Sequence, residues 1–248
     1  MLPTYAWRHS QYTNFGDELN FHLLGAIVGH TVHIVRDSRI SPKLLAIGSV
    51  LSTWHARPGD VVWGAGYRGD GPVAHRDLDI RAVRGPMTAC HLAEVGYPPI
   101  SCFGDPALLL PRFFSFPIGG GGIGFVAHHQ DPLPNDFAID VRRPPLEVVA
   151  AIAACDRVIS SSLHGIIVAE AYGIPAILAS GLEVRNARIK FDDYYASTGR
   201  YTPPPISFSS ATLADAPEKP RMPDLDALLA AFPHDKMATE SGVPVCRL

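Results

Sequence analysis

Lysine is the residue this chain nearly lacks. Among 248 residues it occurs only at 43, 190, 219 and 236, so 17 of the 21 basic residues are arginine. Excess positive charge is missing too. A formal net charge of -3 is not the basic balance by which nucleic-acid binders neutralise phosphates, and no nucleic-acid partner is expected. Cysteine is confined to Cys90, Cys102, Cys155 and Cys246, with no C-x-x-C pair, which removes zinc ribbons and thioredoxin-type dithiols and suits a reducing cytoplasm. The eleven histidines show neither H-x-x-x-H nor H-E-x-x-H spacing, so no metal site is expected. Long apolar runs are absent as well. The most apolar stretch, from Ile166, is broken by Glu170, Gly173 and Pro175 short of the ~18 residues that a span needs, and the N-terminus has no apolar signal region. The expectation is a cytoplasmic chain without signal peptide or membrane crossing. No repeat of 20 to 50 residues is visible.

What is present is an ordinary globular composition, 47% apolar and 18% charged, with a length that suits one or two domains. The arginine skew has two readings: guanidinium forks for small anions, or the background of an Ala-rich, Lys-poor proteome. Short apolar runs alternate with turns and helical patterns, which argues for an α/β layered fold. Strands are expected over Thr4 to Arg8, Thr31 to Val35, Leu44 to Gly48, Asp60 to Trp63, Asp79 to Val83 and Ile100 to Phe103. Helices are expected over Phe15 to Val28, with Leu19, Leu23, Leu24 and Ile27 on one face, and over Met87 to Val95 behind Pro86. After the Pro/Phe-rich run Pro111 to Pro117 and the glycines Gly119 to Gly122, the rhythm restarts. Strands follow at Ile123 to Ala127, Phe137 to Val141, Arg157 to Ile159 and Ala176 to Leu178. Helices follow at Leu146 to Ala154, Leu163 to Tyr172 and Leu225 to Ala231. The economical architecture is two Rossmann-like halves, 1–116 and 117–205, facing a cleft at the carboxyl ends of their strands, with an extension, 206–248, that carries a helix.

Candidate chemistry sits at junctions between elements. Ser160-Ser161-Ser162-Leu163-His164-Gly165 hands a strand over to a helix, where a hydroxyl can cap and free N–H groups can hold an anion. His164 falls in the first helical turn, placed to exchange a proton; equally, the serines only cap and the ring only fills the junction. Arg84, at a strand end before Gly85-Pro86, would project into the cleft as a clamp for phosphate or carboxylate, whereas Arg81 reads as a surface residue paired with an acid. Asp17 and Glu18 open the first helix. They either answer its dipole, worth ~0.3–1 kcal/mol, or Asp17 or Asn14 faces the cleft and handles a hydroxyl. Gly64-Ala65-Gly66 lacks the third glycine of a dinucleotide fingerprint, and Gly104-Asp105-Pro106 reads as a capped turn.

The ordered set NFGDELN from Asn14, WGAGY from Trp63, RAVRGP from Arg81, FGDPALLLP from Phe103 and SSSLHGIIVAEAYGIPAI from Ser160 resembles the polysaccharide pyruvyl transferase family. The later KFDDYYASTGR resembles a segment of its short exopolysaccharide branch. The resemblance implies a GT-B-like fold and transfer of the pyruvyl group of phosphoenolpyruvate, without metal or other cofactor, onto a sugar of an exopolysaccharide or cell-surface glycan precursor as a ketal. It implies His164 and Arg84 around phosphoenolpyruvate. Many members carry Arg two positions before the motif His, where this chain has Ser162; Arg185, Arg188 or Lys190 would then supply the charge. On that chemistry His164 and Asp17 are the catalytic candidates. Ser161 and Ser162 would hold phosphate oxygens through their backbone, and Asn14, Asp17 and Asp192 or Asp193 would address the sugar. A lipid-linked acceptor and peripheral association with the inner membrane face are further implications. Two rivals remain: a GT-B glycosyltransferase using a nucleotide sugar, suggested by H-G-x-x-x-x-E-A-x-x-x-P with Glu170 as a ribose contact, and a non-catalytic subunit of polysaccharide assembly.

Overall fold

The computed structural model describes residues 1–8, 14–72, 77–211 and 217–237. Cys246 and, with it, residues 212–216 and 238–248 of the expected extension lie outside the described residues. The elements run β1 (Thr4–Tyr5), α1 (Phe15–Val28), β2 (Ile34–Val35), β3 (Leu44–Leu45), β4 (Val61–Trp63), β5 (Asp79–Ala82) and α2 (Pro86–Glu94). A 3-10 turn (Pro106–Leu109) then leads into α3 (Leu110–Phe113). The order continues with β6 (Ile123–Val126), α4 (Pro145–Ala153), β7 (Arg157–Ser160), α5 (Leu163–Ala171), β8 (Ala176–Leu178), α6 (Leu182–Asn186), α7 (Arg188–Ser197), α8 (Phe208–Ala211), α9 (Leu225–Ala230) and α10 (His234–Met237).

Two parallel sheets result, ordered β2-β1-β3-β4-β5 and β6-β7-β8. The strands β3, β4 and β8 are wholly apolar and buried, as parallel sheets covered on both faces require. Leu19, Leu23 and Leu24 of α1 are fully buried, as their helical spacing predicts. Gly29 ends that helix in the left-handed region, φ 76°, and its N–H closes on the Gly25 carbonyl at 2.9 Å. One buried cluster joins Leu23, Leu44 and Trp63 to Val148, Ile152 and Ile166, so the apolar core is continuous between the two sheets. The Trp63 indole N–H donates to the Leu228 carbonyl at 2.7 Å, which fastens α9 to the first sheet.

Two expected strands do not form. Over Phe137 to Val141 a single N–H, from Ile139, reaches the Phe125 carbonyl, while Asn135 and Asp140 side chains accept from the Phe137 and Arg142 N–H groups. These local bonds turn the backbone in place of a ladder. Ile100 to Phe103 shrinks to one bridge, between Val83 and Phe103, behind two prolines at 98 and 99. No helix among the described residues is long and apolar enough to cross a membrane.

Candidate functional site

A polar cavity of about 210 Å³ is lined by residues that follow strands of both parallel sheets, among them Ser49, Arg68, His128 and Ser162. Of the residues singled out from sequence, Asn14, Asp17, Ser162, His164 and Lys190 line it. The reason is positional: Asn14 and Asp17 open the first helix after β1, Ser162 and His164 open α5 directly after β7, and Lys190 lies in the first turn of α7.

Asp17 is buried, and Asn20 fixes its helix turn. The Asn20 amide donates to the carbonyls of Asp17 (3.0 Å) and Ile47 (2.8 Å) and accepts the Ile47 N–H (2.9 Å). Asp17 Oδ1 accepts the Trp7 N–H at 3.1 Å and rests against Gly48, where a Cβ would stand 2.8 Å from the same oxygen. Burial pushes the Asp17 carboxyl up to about 7; His164, the Trp7 N–H and Lys190 pull it back only in part. Near neutral pH this group can therefore take or give a proton, which an exposed aspartate cannot do.

His164 lies beside it. Its Nε2 is 3.6 Å from Asp105 Oδ2, and its opposite edge meets Gly16 of α1 so closely that a Cβ there would sit 1.9 Å from Nδ1. Gly16→Ala should therefore cost about 1–3 kcal/mol, as overpacking does, and displace the ring. Chemical denaturation would show the loss, and the His164 ring resonances would move; an unaltered ring spectrum would contradict the close fit.

The serine run behaves differently from expectation. The Ser161 N–H donates to the Val126 carbonyl (3.1 Å) and the Ser162 N–H to Ser160 Oγ (3.0 Å), so neither amide is free to hold phosphate. Ser161 Oγ donates to Asp131 at 2.7 Å and accepts the His128 N–H at 3.0 Å. Ser162 is the N-cap of α5 but makes no side-chain cap bond. The amides of an uncapped first turn lack helical acceptors, so Leu163 and His164, both on the cavity wall, carry the anion-attracting end of this helix.

Arg84 is corrected more sharply. Instead of projecting into the cavity it is fully buried, since Asp193 meets it from α7. Its Nε donates to Asp193 Oδ2 at 3.0 Å, Nη1 to Ser49 Oγ at 2.6 Å and Nη2 to the Tyr67 carbonyl at 3.0 Å. Asp193, expected at the sugar, instead also accepts the Thr88 N–H (2.9 Å) and hydroxyl (2.7 Å). Only Gly66 lets the guanidinium pass, because a Cβ there would lie 2.1 Å from Cζ. Arg185 is exposed on α6 and does not line the cavity, and Asp192 pairs with Arg188 at 3.0 Å. Arg81 pairs with Asp79 at 2.6 Å, as the surface reading expects. Glu170, the ribose contact of the nucleotide-sugar rival, is buried under Arg200 (2.7 and 2.8 Å) and the Tyr194 hydroxyl (2.6 Å), with no place on the cavity wall.

Sequence reasoning missed Arg68, Glu183 and His128, which complete the wall. Lys190 Nζ donates to Glu183 at 2.6 Å, and Arg68 reaches the same carboxylate at 3.2 and 3.3 Å. Burial alone would raise Glu183, but Lys190 and Arg68 outweigh it and bring the carboxyl to about 2. Burial lowers Lys190, against the pull of Glu183. Burial, then Lys190 and His129, push His128 down to about 3, so its ring is neutral near pH 7. No sequence signal joins Arg68 to Glu183, 115 positions away. Among the described residues no group of three or more His, Cys, Asp or Glu side chains is arranged to hold a metal ion.

Parallel strands ending at a polar cavity, with a proton-exchanging carboxyl and two cations on its wall, define an α/β protein suited to a small, anionic or hydroxyl-bearing ligand. The chain belongs to the polysaccharide pyruvyl transferase family, whose profile matches residues 14–180. It is 27% identical over 217 residues to the succinoglycan biosynthesis protein ExoV of Rhizobium meliloti (strain 1021), an alignment that covers 80% of this chain and 65% of that protein's length. Among solved structures it is similar to a Klebsiella pneumoniae protein described as functionally uncharacterized, with 11% identity and a TM-score of 0.45 over 78% of this chain and 87% of the other.

Proposed function

We propose that this protein transfers the pyruvyl group of phosphoenolpyruvate onto a sugar of an exopolysaccharide or cell-surface glycan precursor and closes it as a ketal. The observation that carries the reading is the placement of Asp17, held near neutrality, beside His164 at the mouth of the uncapped α5. The reaction needs little else from the protein. Carbon 3 of the enolpyruvyl group gains a proton and carbon 2 gains a bond to a sugar oxygen, whose proton leaves. The bond from carbon 2 to the phosphate oxygen then breaks, phosphate departs, and a second sugar hydroxyl bonds carbon 2 as it loses its own proton. Protons enter and leave at adjacent points, the work of a group poised near the ambient pH. Developing negative charge on phosphate calls for fixed donors. The first-turn amides of α5 together with Lys190 and Arg68 fit that demand, the two cations being divided between Glu183 and the incoming anion. Asn14 and Ser49, on the same wall, address the sugar hydroxyls. On this reading residues 1–116 and 117–205 act as two Rossmann-like halves that hold donor and acceptor between them in a GT-B-like manner, with 206–248 as an extension. No cofactor beyond the donor is required. A lipid-linked acceptor would place the enzyme on the cytoplasmic side of the inner membrane.

The test is a ligand comparison followed by turnover. Phosphoenolpyruvate at 100 times its Kd should stabilise the fold by about 2.7 kcal/mol, while nucleoside diphosphates leave the melting temperature unchanged. With oligosaccharide acceptors, one phosphate should be released per pyruvyl group transferred. Stabilisation by a nucleoside diphosphate without any by phosphoenolpyruvate would establish the nucleotide-sugar reading instead. Binding without turnover on any glycan acceptor would leave a non-catalytic subunit.

A further inference from the structure

Two buried polar atoms, one of them on the cavity-lining His164, have no hydrogen-bond partner among the described residues and face each other: Asp105 Oδ2 and His164 Nε2. Asp105 is fully buried, and its other oxygen is already used, accepting the Ala107 N–H at 3.0 Å to cap the 3-10 turn that packs on α5. A buried carboxylate oxygen without a donor is costly, and a buried imidazole nitrogen without a partner is costly too. Each is the group at hand to satisfy the other. At 3.6 Å the two stand a few tenths of an ångström beyond hydrogen-bond reach, a gap of the kind that closes when a catalytic site fills. The far edge of the ring is packed on Gly16, in the space that a Cβ there would take. Asp17, in the first turn of α1, is electrostatically coupled to the same ring.

We infer that Asp105 is a positioning residue for His164: its Oδ2 accepts a hydrogen bond from Nε2–H and so holds the imidazole in the tautomer whose Nδ1, on the edge toward α1, carries the lone pair. The capped turn read from Gly104-Asp105-Pro106 thus has a second use, one oxygen for the backbone and one for the ring. The tautomer rests on geometry alone; its use in turnover rests on the pyruvyl transfer proposed above. Asp105→Asn separates the two. Its carbonyl oxygen can still accept the Ala107 N–H, so its amide N–H2 group would face Nε2 and demand a lone pair there, which forces the proton to Nδ1. Nitrogen-15 spectra of the neutral ring, with the His164 signals identified by their loss in His164→Gln, should show Nε2–H in the wild type and Nδ1–H in Asp105→Asn. Pyruvyl-transfer kcat should fall about 100-fold, with the KM for phosphoenolpyruvate changed less than threefold. Asp105→Ser, which keeps a capping oxygen but cannot reach the ring, should lose kcat likewise and guards against misfolding of the first variant. A wild-type ring protonated at Nδ1, or an Asp105→Asn variant with unchanged tautomer and kcat, overturns the inference. A switched tautomer in a protein that transfers no pyruvyl group keeps this inference and removes the proposed function.

Discussion

Arg84→Ala is expected to destabilise the fold by about 3–5 kcal/mol, the cost of leaving one member of a buried ion pair without its partner. Asp193 would keep a fully buried carboxylate with only the Thr88 N–H and hydroxyl to answer it, and Ser49 and the Tyr67 carbonyl would each lose a donor. At roughly 2–4 °C per kcal/mol for a chain of this size, the melting temperature should fall by about 6–20 °C. Arg84→Lys should recover little, because one ammonium cannot reach three acceptors that a planar fork spans. Adding Asp193→Asn to Arg84→Met should return part of the loss, since it removes the stranded charge, and a double-mutant cycle in guanidinium unfolding would measure the coupling. A variant that keeps its stability and loses only affinity for phosphoenolpyruvate would return Arg84 to the clamp that its strand-end position suggests.

That residue marks how far the sequence is legible. α1 and β8 have the bounds their periodicity predicts, because an apolar face or run is sufficient to specify them. α7 was not foreseen: Lys190, Phe191, Asp193 and Tyr194 are all buried, so its inner side is as polar as its outer side and no hydrophobic period exists to be seen. The same physics divides the site. Asn14, Asp17, Ser162 and His164 were found because a helix start beyond a parallel strand points to the ligand end of the sheet whatever else happens. Whether a strand-end arginine faces ligand or core depends on an acid 109 positions later, and the Arg68–Glu183–Lys190 group likewise exists only once the chain has folded. Asp105 reads from sequence as the turn cap it is, yet local sequence does not encode what its second carboxylate oxygen meets.

Asp17→Asn should raise stability while it removes activity. In the folded protein the carboxyl titrates near 7, against 3.8 in its unperturbed state, so the folded chain binds this proton more tightly than the unfolded one. Stability therefore falls as pH rises from about 4 to 7, and above that range the whole penalty applies. A shift of that size corresponds to about 4 kcal/mol at 1.36 kcal/mol per unit, an upper figure for this one group. Asparagine carries no charge to bury, and its carbonyl oxygen can still accept the Trp7 N–H that now reaches Asp17 at 3.1 Å. Urea unfolding at pH 8 should then favour the variant by up to about 4 kcal/mol, with the advantage gone below pH 4, where both side chains are neutral. On the proposed chemistry kcat should fall about 1,000-fold, within the usual reach of one acid/base group. Curves for the two proteins that run parallel between pH 4 and 8 would show that Asp17 is not strained by burial, and full turnover in the variant would show that it moves no proton. The two outcomes belong together. A carboxylate held largely out of solvent costs the fold for the same reason that it serves a reaction at neutral pH, and the expense is tolerable here because Asn20, Gly48 and the Trp7 N–H fix it in place.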